Sequence, residues 1–463
     1  CIPWPRGKTL GGSSSINRMV YIRGHARDYD LWAQKGLTTW SYEKVLPYFI
    51  RAESNTRGAD NFHGTDGPLN VTDEGGEHPL FSAFVEAGRQ EGYKLNSDFN
   101  GIEQEGFGCY QFNIQNGRRR SAAATYLKEA KKRFNLEILV GANTERITFE
   151  GKRATSILYR HKHKNCSATA THEIILASGA INSPKLLMLS GIGDAEQLKS
   201  HGINVIHHSS EVGKNLQDHL SIRNMHASKI PTLTDELTNF RRSVFAVLQA
   251  ILFRTGSAAA FPLAGGAFVR TRPEQEIPDI QIHFSAGNLM SIHRKPFAKP
   301  SQDHTRPDAF MAHACQLRPE SRGGINLESS DPNKPPIIQP NYLSTENDKI
   351  TMRDAFKVVR RVMNQPALKE FSKGEIWPGA DVESEQEIDN FIAEAASTVF
   401  HPVGTCRMGK DEKAVVDETL CVNGVRGLRI VDASIMPSLV GGNTNAPTIM
   451  IAEKTSDIIL KKY

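Results

Sequence analysis

The chain has 463 residues, 39% of them hydrophobic, and a formal net charge of +5. That is material for two or three domains with a large core, without an apolar run long enough to span a bilayer and without a secretory signal pattern. The charge is dispersed, and Arg118-Arg119-Arg120 and Lys131-Lys132-Arg133 lack the interleaved aromatics of a nucleic-acid groove. The cysteines at 1, 109, 166, 315, 406 and 421 never form a Cys-x-x-Cys pair, which favours reduced thiols in a cytoplasmic setting over a disulfide frame or a zinc site.

In chain order, residues 1–25 read as a tight Gly/Ser turn followed by an apolar segment, Met19 to Ile22. Periodicity predicts a helix over 28–54, with Trp32, Val45, Leu46 and Phe49 on one face, and further helices over 79–92 and 120–133. The period then shortens, and 136–140, 147–149, 156–159 and 172–177 read as strands. Gly179 and a helical run from Pro184 to Leu189 follow, an order that can bring free N–H groups to an anion. Next come an amphipathic stretch from Leu237 to Phe253, a Gly/Ala segment at 256–267, an alternating strand from Asp279 to Phe284 and a Pro-rich loop at 286–308. Residues 312–317 and 324–328 look like paired strands, closed by Pro335, Pro336 and Pro340. Residues 345–371 and 383–396 read as helices. The last ~15 residues form another, with Pro447 near its first position and Asn445 at the cap.

The residues with chemistry concentrate near the end, in His401-Pro-Val-Gly-Thr-Cys-Arg-Met-Gly409, Val431-Asp-Ala-Ser-Ile-Met-Pro437 and Gly441-Gly-Asn-Thr-Asn-Ala-Pro447. Alone, His401 reads as an ordinary surface or core histidine and Asn445 as a helix cap. Alone, Gly11, Gly12 and Ser13 read as a flexible turn, Gly179 as a loop residue and Asp432 as a turn residue. Asp218-His219 invites a charge relay, yet no nucleophilic serine sits in a motif with it, so it reads as a structural hydrogen bond. The histidines at 25, 63, 207, 208 and 313 do not fall at metal-ligand spacing, so no metal is expected.

Taken together, these segments resemble the glucose–methanol–choline (GMC) oxidoreductases, FAD enzymes that oxidise alcohols. The resemblance runs through Arg6–Gly24, Phe62–Leu69, Gly179–Gly193, Val212–His219 and the closing blocks. In flavour it is nearest to bacterial choline-dehydrogenase-like and aliphatic alcohol dehydrogenases. It implies an α/β fold: an FAD-binding Rossmann-like domain, and an α+β substrate domain with an antiparallel sheet. The expected division is 1–222 for the FAD domain, 223–395 for the substrate domain and 396–463 for the return to the FAD domain. The family's opening Gly-x-Gly-x-x-Gly unit is absent, so the chain reads as N-terminally truncated, with the first βαβ unit missing.

The resemblance also implies roles. Thr9, Gly11, Gly12 and Ser13 would lie against the FAD diphosphate and ribityl chain; Asn17, Met19 and Val20 would line the flavin ring. Thr144 would meet the adenine side, and Gly179, Asp432 and Ala433 the ribityl–diphosphate part. His401 would be the general base as hydride passes to flavin N5. Asn445 would orient the alkoxide beside the cofactor, and the helix at Pro447 would favour negative charge on the flavin. Ile16 stands where some relatives attach FAD through histidine, so the FAD is expected to be non-covalent. The expected partners are a small-molecule alcohol and an acceptor, a quinone or O₂, with peripheral association at an inner membrane left open and no nucleic acid. An O₂-using oxidase, an FAD hydroxynitrile lyase and an inert fragment remain alternatives. The pocket segment 223–310 offers Phe240, Phe245, Phe253, Phe261 and Phe284 without a recognisable pattern.

Overall fold

The computed structural model describes residues 2–233, 240–256, 258–259, 263–288 and 308–462; Phe261 and most of the expected 286–308 loop lie outside them. The elements that position the site are helices α1 (Ala26–Gln34), α2 (Tyr42–Ala52) and α3 (Pro79–Gln90), then strands β1 (Gly106–Cys109), β2 (Ala142–Glu150), β3 (Arg153–His161), β4 (Lys164–Thr169) and β5 (Ile174–Leu176). Then come α4 (Gly179–Leu189), β6 (Leu220–Ser228), α5 (Phe240–Leu252), β7 (Gly265–Val269), β8 (Ile280–Ser285) and β9 (Ala309–Gln316). The chain continues with α6 (Glu346–Met363), β10 (Ser372–Trp377), α7 (Glu385–Ala395), β11 (Ser397–Thr398), β12 (Leu428–Ile430) and α8 (Asn445–Lys462).

Several expectations change. The helix expected over 28–54 is two helices, because Gly36 takes a left-handed φ of 93° just past α1 and stops it. The 120–133 segment forms only a wide turn at Ala123–Leu127 and a short helical turn at Lys128–Ala130. Residues 136–140 do not form a strand: Leu136, Leu139 and Val140 are exposed and have no ladder partner. The ladder that does form there is β4–β3–β2, whose outer strand β4 is polar enough to hide from a hydrophobic pattern. Residues 312–317 and 324–328 do not pair with each other; β9 sits between β6 and β8, while Gly324–Asn326 pairs with Ile337–Gln339.

Two apolar cores result. The first gathers Trp32, Trp40 and Phe49 with Leu187, Val403, Val440 and Ile451, around the parallel pair β5–β12 and helix α8. The second lies under an antiparallel sheet of order β10–β6–β9–β8–β7–β1, with β11 added along β6. Phe84, Phe107, Ile282, Phe284, Phe310, Val358 and Val359 fill it. The segment Met19–Ile22 serves both: Tyr21 enters the first core, Met19, Val20 and Ile22 the second. Because strand side chains alternate, the sheet face opposite Ile282 and Ala314 presents Gln281, His283, His313, Cys315, Ser221 and Arg223.

A buried ion pair fixes where the Gly/Ser segment meets the first core. The Arg23 guanidinium pairs with Glu53 and donates to Tyr21 Oη at 3.1 Å, and Glu53 also meets His63 Nδ1 at 3.0 Å. Glu53→Gln leaves the buried Arg23 charge uncompensated and is expected to cost about 3–5 kcal/mol, read as a lower urea midpoint at unchanged slope.

Candidate active site

His401 sits in a loop whose backbone is held in a strained shape. The preceding residue, Phe400, has a left-handed φ of 68°, which a non-glycine residue adopts only when its surroundings dictate it. Phe400 N donates to Thr398 Oγ1 at 2.7 Å, and His401 N donates to Asp218 Oδ1 at 2.7 Å. The hydroxyls of Thr398 and Tyr342 both donate to Asp218 Oδ2, and Arg6 donates to Phe400 O at 3.3 Å. Burial raises the Asp218 carboxyl to about 6 although these hydrogen bonds favour its charged form. Asp218 therefore tethers the loop and does not touch the imidazole ring.

The ring's contacts settle its proton. His401 Nδ1 lies 2.9 Å from His219 Nδ1, and His219 Nε2 lies 3.1 Å from Leu317 O. A carbonyl only accepts, so His219 Nε2 carries the hydrogen and its Nδ1 is the acceptor. His401 then donates from Nδ1, which leaves Nε2 as the acceptor nitrogen. Burial keeps both rings neutral: it lowers His219 to about 4 and takes His401 well below the usual histidine range. Asn443 Nδ2 faces His401 Nε2 at 3.2 Å. Its own orientation is set because Gln281 Nε2 donates both to Asn443 Oδ1 and to Tyr110 Oη, each at 3.1 Å. A hydroxyl that replaces this contact can donate to Nε2 and accept from the amide.

The amide facing His401 is thus Asn443, not Asn445. Asn445 opens α8, and its side chain turns to Asn113 Oδ1 at 3.4 Å. Asn443 belongs to the turn before the helix, which Asp28 holds by accepting from Gly441 N at 2.6 Å and from Arg318 Nη2 at 2.8 Å. Sequence reasoning also passed over His219, Gln281 and Tyr110. The Asp218-His219 pair was a signal, but its partner lies 182 residues away; nothing in the sequence singled out the other two.

The remaining predicted residues divide. Gly11 and Gly12 have φ of 86° and 54°, in a turn closed by Gly12 N to Thr9 O at 2.9 Å. No side chain caps this turn, Ser13 is exposed, and a Cβ on Gly12 would meet nothing within 4 Å. Open backbone with uncapped N–H groups suits a phosphate-bearing cofactor. The carbonyls of Ser14 and Asn17 accept from Arg119 Nη1, which fixes the far side of the turn. Asn17 Oδ1 accepts from Met19 N at 3.0 Å, and Met19 and Val20 are buried beneath. Asp432 is spent locally: it accepts from Gly179 N at 2.9 Å, Ser183 Oγ at 2.5 Å and Ser434 N at 2.8 Å. Ala433 O accepts from Gly404 N at 3.3 Å, tying this turn to the His401 loop. Thr144 lies on an exposed stretch of β2. No group of His, Cys, Asp and Glu among the described residues could hold a metal ion, and no helix among them is long and apolar enough to cross a membrane.

Two family models described as GMC oxidoreductase match residues 1–221 and 319–452. The chain is 45% identical over 458 residues to human mitochondrial choline dehydrogenase, spanning 98% of this chain and 76% of that protein. It is 44% identical over 467 residues to an alcohol dehydrogenase [acceptor] of Pseudomonas putida, spanning 99% and 82%. It is 45% identical over 459 residues to an oxygen-dependent choline dehydrogenase of Brucella anthropi, spanning 98% and 82%. Among solved structures, pyridoxine 4-oxidase from Mesorbium loti superposes with a TM-score of 0.86 at 31% identity, covering 99% of this chain and 85% of that one. Formate oxidase of Aspergillus oryzae, a structure concerned with FAD modification, reaches a TM-score of 0.91 at 25% identity, covering 100% and 85%.

The buried rings link the site to acid stability. Burial lowers His219 and His226 to about 4 and His283 to about 3, against 6.5 for exposed histidine. The unfolded chain then binds more protons than the folded one between these values, so stability is full above pH 6.5 and falls as pH drops towards 4. Asp218, raised to about 6, opposes this below pH 6, as do Asp279 and Asp354, which burial also raises, but His313 and His401 are lowered too and keep the histidines in the majority. A melting temperature that declines steadily from pH 7 to pH 4 is expected in a calorimetric series.

Proposed function

The chain belongs to the GMC oxidoreductases, and on that footing we propose that it oxidises an alcohol to an aldehyde or ketone, with His401 as the general base. One observation carries the reading: a neutral imidazole whose Nε2 lone pair points at an amide donor, Asn443 Nδ2, at 3.2 Å. An alcohol parts with hydride readily only as its oxygen loses the proton. His401 Nε2 takes that proton, and Asn443 Nδ2 donates to the oxygen as its charge grows. Gln281 and Tyr110 keep the amide turned that way. His219 is a positioning residue, holding His401 in the tautomer that can act.

The family is FAD-dependent, and the open Gly11–Ser13 turn fits that cofactor. Thr9, Gly11, Gly12 and Ser13 would hold its phosphate and ribityl part, and Asn17, Met19 and Val20 its ring side. Bound FAD supplies the acceptor for the two electrons leaving the carbinol carbon. Helix α8 begins beside Asn113, whose N–H donates to Met19 O at 2.7 Å, so its positive end favours negative charge on the ring. Ile16 offers no nucleophile for a covalent link.

Helix α5 bears on the electron acceptor. Its outward face is apolar, with Phe245, Ile251 and Leu252 exposed while the small Ala246 is buried. Arg241, Arg242 and Arg254 flank it, and no acidic residue occurs from 237 to 273. Such a helix suits the interface of an anionic bilayer, where a membrane-soluble acceptor would be within reach.

Two experiments on the full-length protein test these readings. In dye-linked turnover, His401→Ala is expected to lower kcat/KM by about 10²–10⁴ with flavin absorbance retained, and Asn443→Ala by about 10². His219→Leu should lower kcat by roughly 10-fold or more, while His219→Gln, which can still accept from Nδ1–H, restores most of it. Acid precipitation should release the flavin. Full turnover by His401→Ala would sink the base assignment. Separately, the protein should sediment with 3:1 phosphatidylcholine–phosphatidylglycerol vesicles, and Phe245→Asp with Leu252→Asp should abolish this. If those changes instead disperse a dimer that ignores vesicles, a second copy covers the face.

A further inference from the structure

The segment Trp4–Gly7 stands between two distant parts of the site. On one side it lies against the Gly11–Ser13 turn. Gly7 N donates to Ser13 Oγ at 3.3 Å, and a Cβ on Gly7 would fall 2.2 Å from Gly12 O, so the two backbones come this close only because Gly7 is glycine. On the other side the segment lies against the His401 loop. Arg6 Nη1 and Nη2 both donate to Phe400 O at 3.3 Å. The Trp4 ring lies 6.4 Å from the ring of Tyr342, whose hydroxyl donates to Asp218.

That is an unusual placement for a guanidinium. Arg6 is half-buried, both of its Nη groups go to a carbonyl and not to a carboxylate, and its Nε is buried with no hydrogen-bond partner among the described residues. Setting a cation on a backbone oxygen in this way is costly, and the oxygen concerned belongs to the strained residue before His401. Phe400 keeps its left-handed φ of 68° because its neighbours hold it. Thr398 Oγ1 holds its N–H, Asp218 holds the next N–H, and Arg6 holds its carbonyl. The first two ties lead to β11 and to the start of β6. The third leads to the Gly/Ser turn. Charge acts in the same sense. Burial is the main cause that takes His401 well below the ordinary histidine range, followed by His219, His283 and then Arg6. Burial raises Asp218, while the hydrogen bonds from Thr398, Tyr342 and the His401 amide, and then the charge of Arg6, favour its ionised form.

We propose that Arg6 is a positioning residue that couples cofactor binding to the catalytic base. A cofactor seated on the Gly11–Ser13 turn fixes the Trp4–Gly7 segment against it, and Arg6 passes that constraint to the Phe400 peptide, which aims His401. The proposal deepens the alcohol oxidation above and rests on it for its kinetic consequence, whereas the contact itself does not. Coupling of this kind is reciprocal. Whatever loosens the His401 loop through Arg6 also loosens the hold on the cofactor.

The test compares the full-length flavoprotein with its Arg6→Met and Arg6→Lys variants. Backbone hydrogen exchange over residues 397–405 should be faster in Arg6→Met at equal flavin content. Flavin release on dilution, followed by fluorescence, should be faster by about 5-fold or more. With an alcohol as substrate, kcat should fall by about 10-fold or more with little change in KM. The acid limb of the kcat/KM profile should move to higher pH, because losing the cation raises both His401 and Asp218. Arg6→Lys keeps the charge and a donor, and should restore the limb and most of kcat. A lower melting temperature with the acid limb unmoved would reduce Arg6 to an anchor of the fold and overturn the proposal. Exchange over 397–405 and flavin release both as in the wild type would overturn it too, while alcohol oxidation stands. If exchange and release both change but no alcohol is oxidised by any of the three proteins, the coupling stands and the oxidation reading falls.

Discussion

The site depends on one contact, between Nδ1 of His219 and Nδ1 of His401 at 2.9 Å. Two like atoms can bond there only if one ring donates and the other accepts. Protonating His219 would place two donors face to face. The Leu317 carbonyl decides which ring does which, because it can accept only from His219 Nε2. Burial enforces the same outcome by another route, since desolvation disfavours imidazolium and lowers His219 to about 4. Hydrogen-bond direction and desolvation thus agree on a single proton arrangement, the one that makes His401 Nε2 an acceptor.

That arrangement needs chain segments far apart in sequence to meet within tenths of an ångström, and two buried carboxylates bring them there. Asp218 collects the His401 amide and the hydroxyls of Thr398 and Tyr342. Asp28, in the capping box of α1, collects the Gly441 amide and the Arg318 guanidinium. Arg318 directly follows Leu317, and Gly441 lies two residues before Asn443. Asp28 therefore sets both ends of the chain of contacts, the carbonyl that fixes the tautomer and the amide that faces the lone pair. Each acid uses its hydrogen bonds to order backbone, which offsets the cost of burying it.

Much of the scaffold was legible because it rests on local rules. The apolar periods of α3 and α6, the alternation of β8 and the cap signals around α8 follow from side-chain spacing alone. What failed was non-local. The pairing of β9 with β6 and β8 depends on register, which no segment encodes by itself. Strand β4 has no apolar alternation to betray it. Asn443 and Asn445 lie two residues apart, and both fall at a reasonable distance along the chain from His401. Only the start of α8 separates them, because the first helical residue turns its side chain towards Asn113 while the turn residue before it points back. His219 looked inert because the partner sought was a serine nearby, whereas its partner is an imidazole 182 residues on. Arg223, His283 and His313 are unremarkable singly and become one wall only through strand register.

This division between loops and strands bears on what the relatives imply. His401 and Asn443 are carried by loops, and their tethers run to α1, to Thr398 and to Tyr342. The polar wall of Arg223, His283 and His313 stands on β6, β8 and β9. Among the described residues the two meet through Gln281, His219 and Tyr110, whose ring lies against His283. Changing a side chain further along a strand alters charge in the pocket without moving the Leu317 carbonyl or the Asn443 amide. Identity near 45% to choline dehydrogenases supports shared chemistry far better than a shared substrate, because the chemistry and the pocket's charge are set by different elements of the fold.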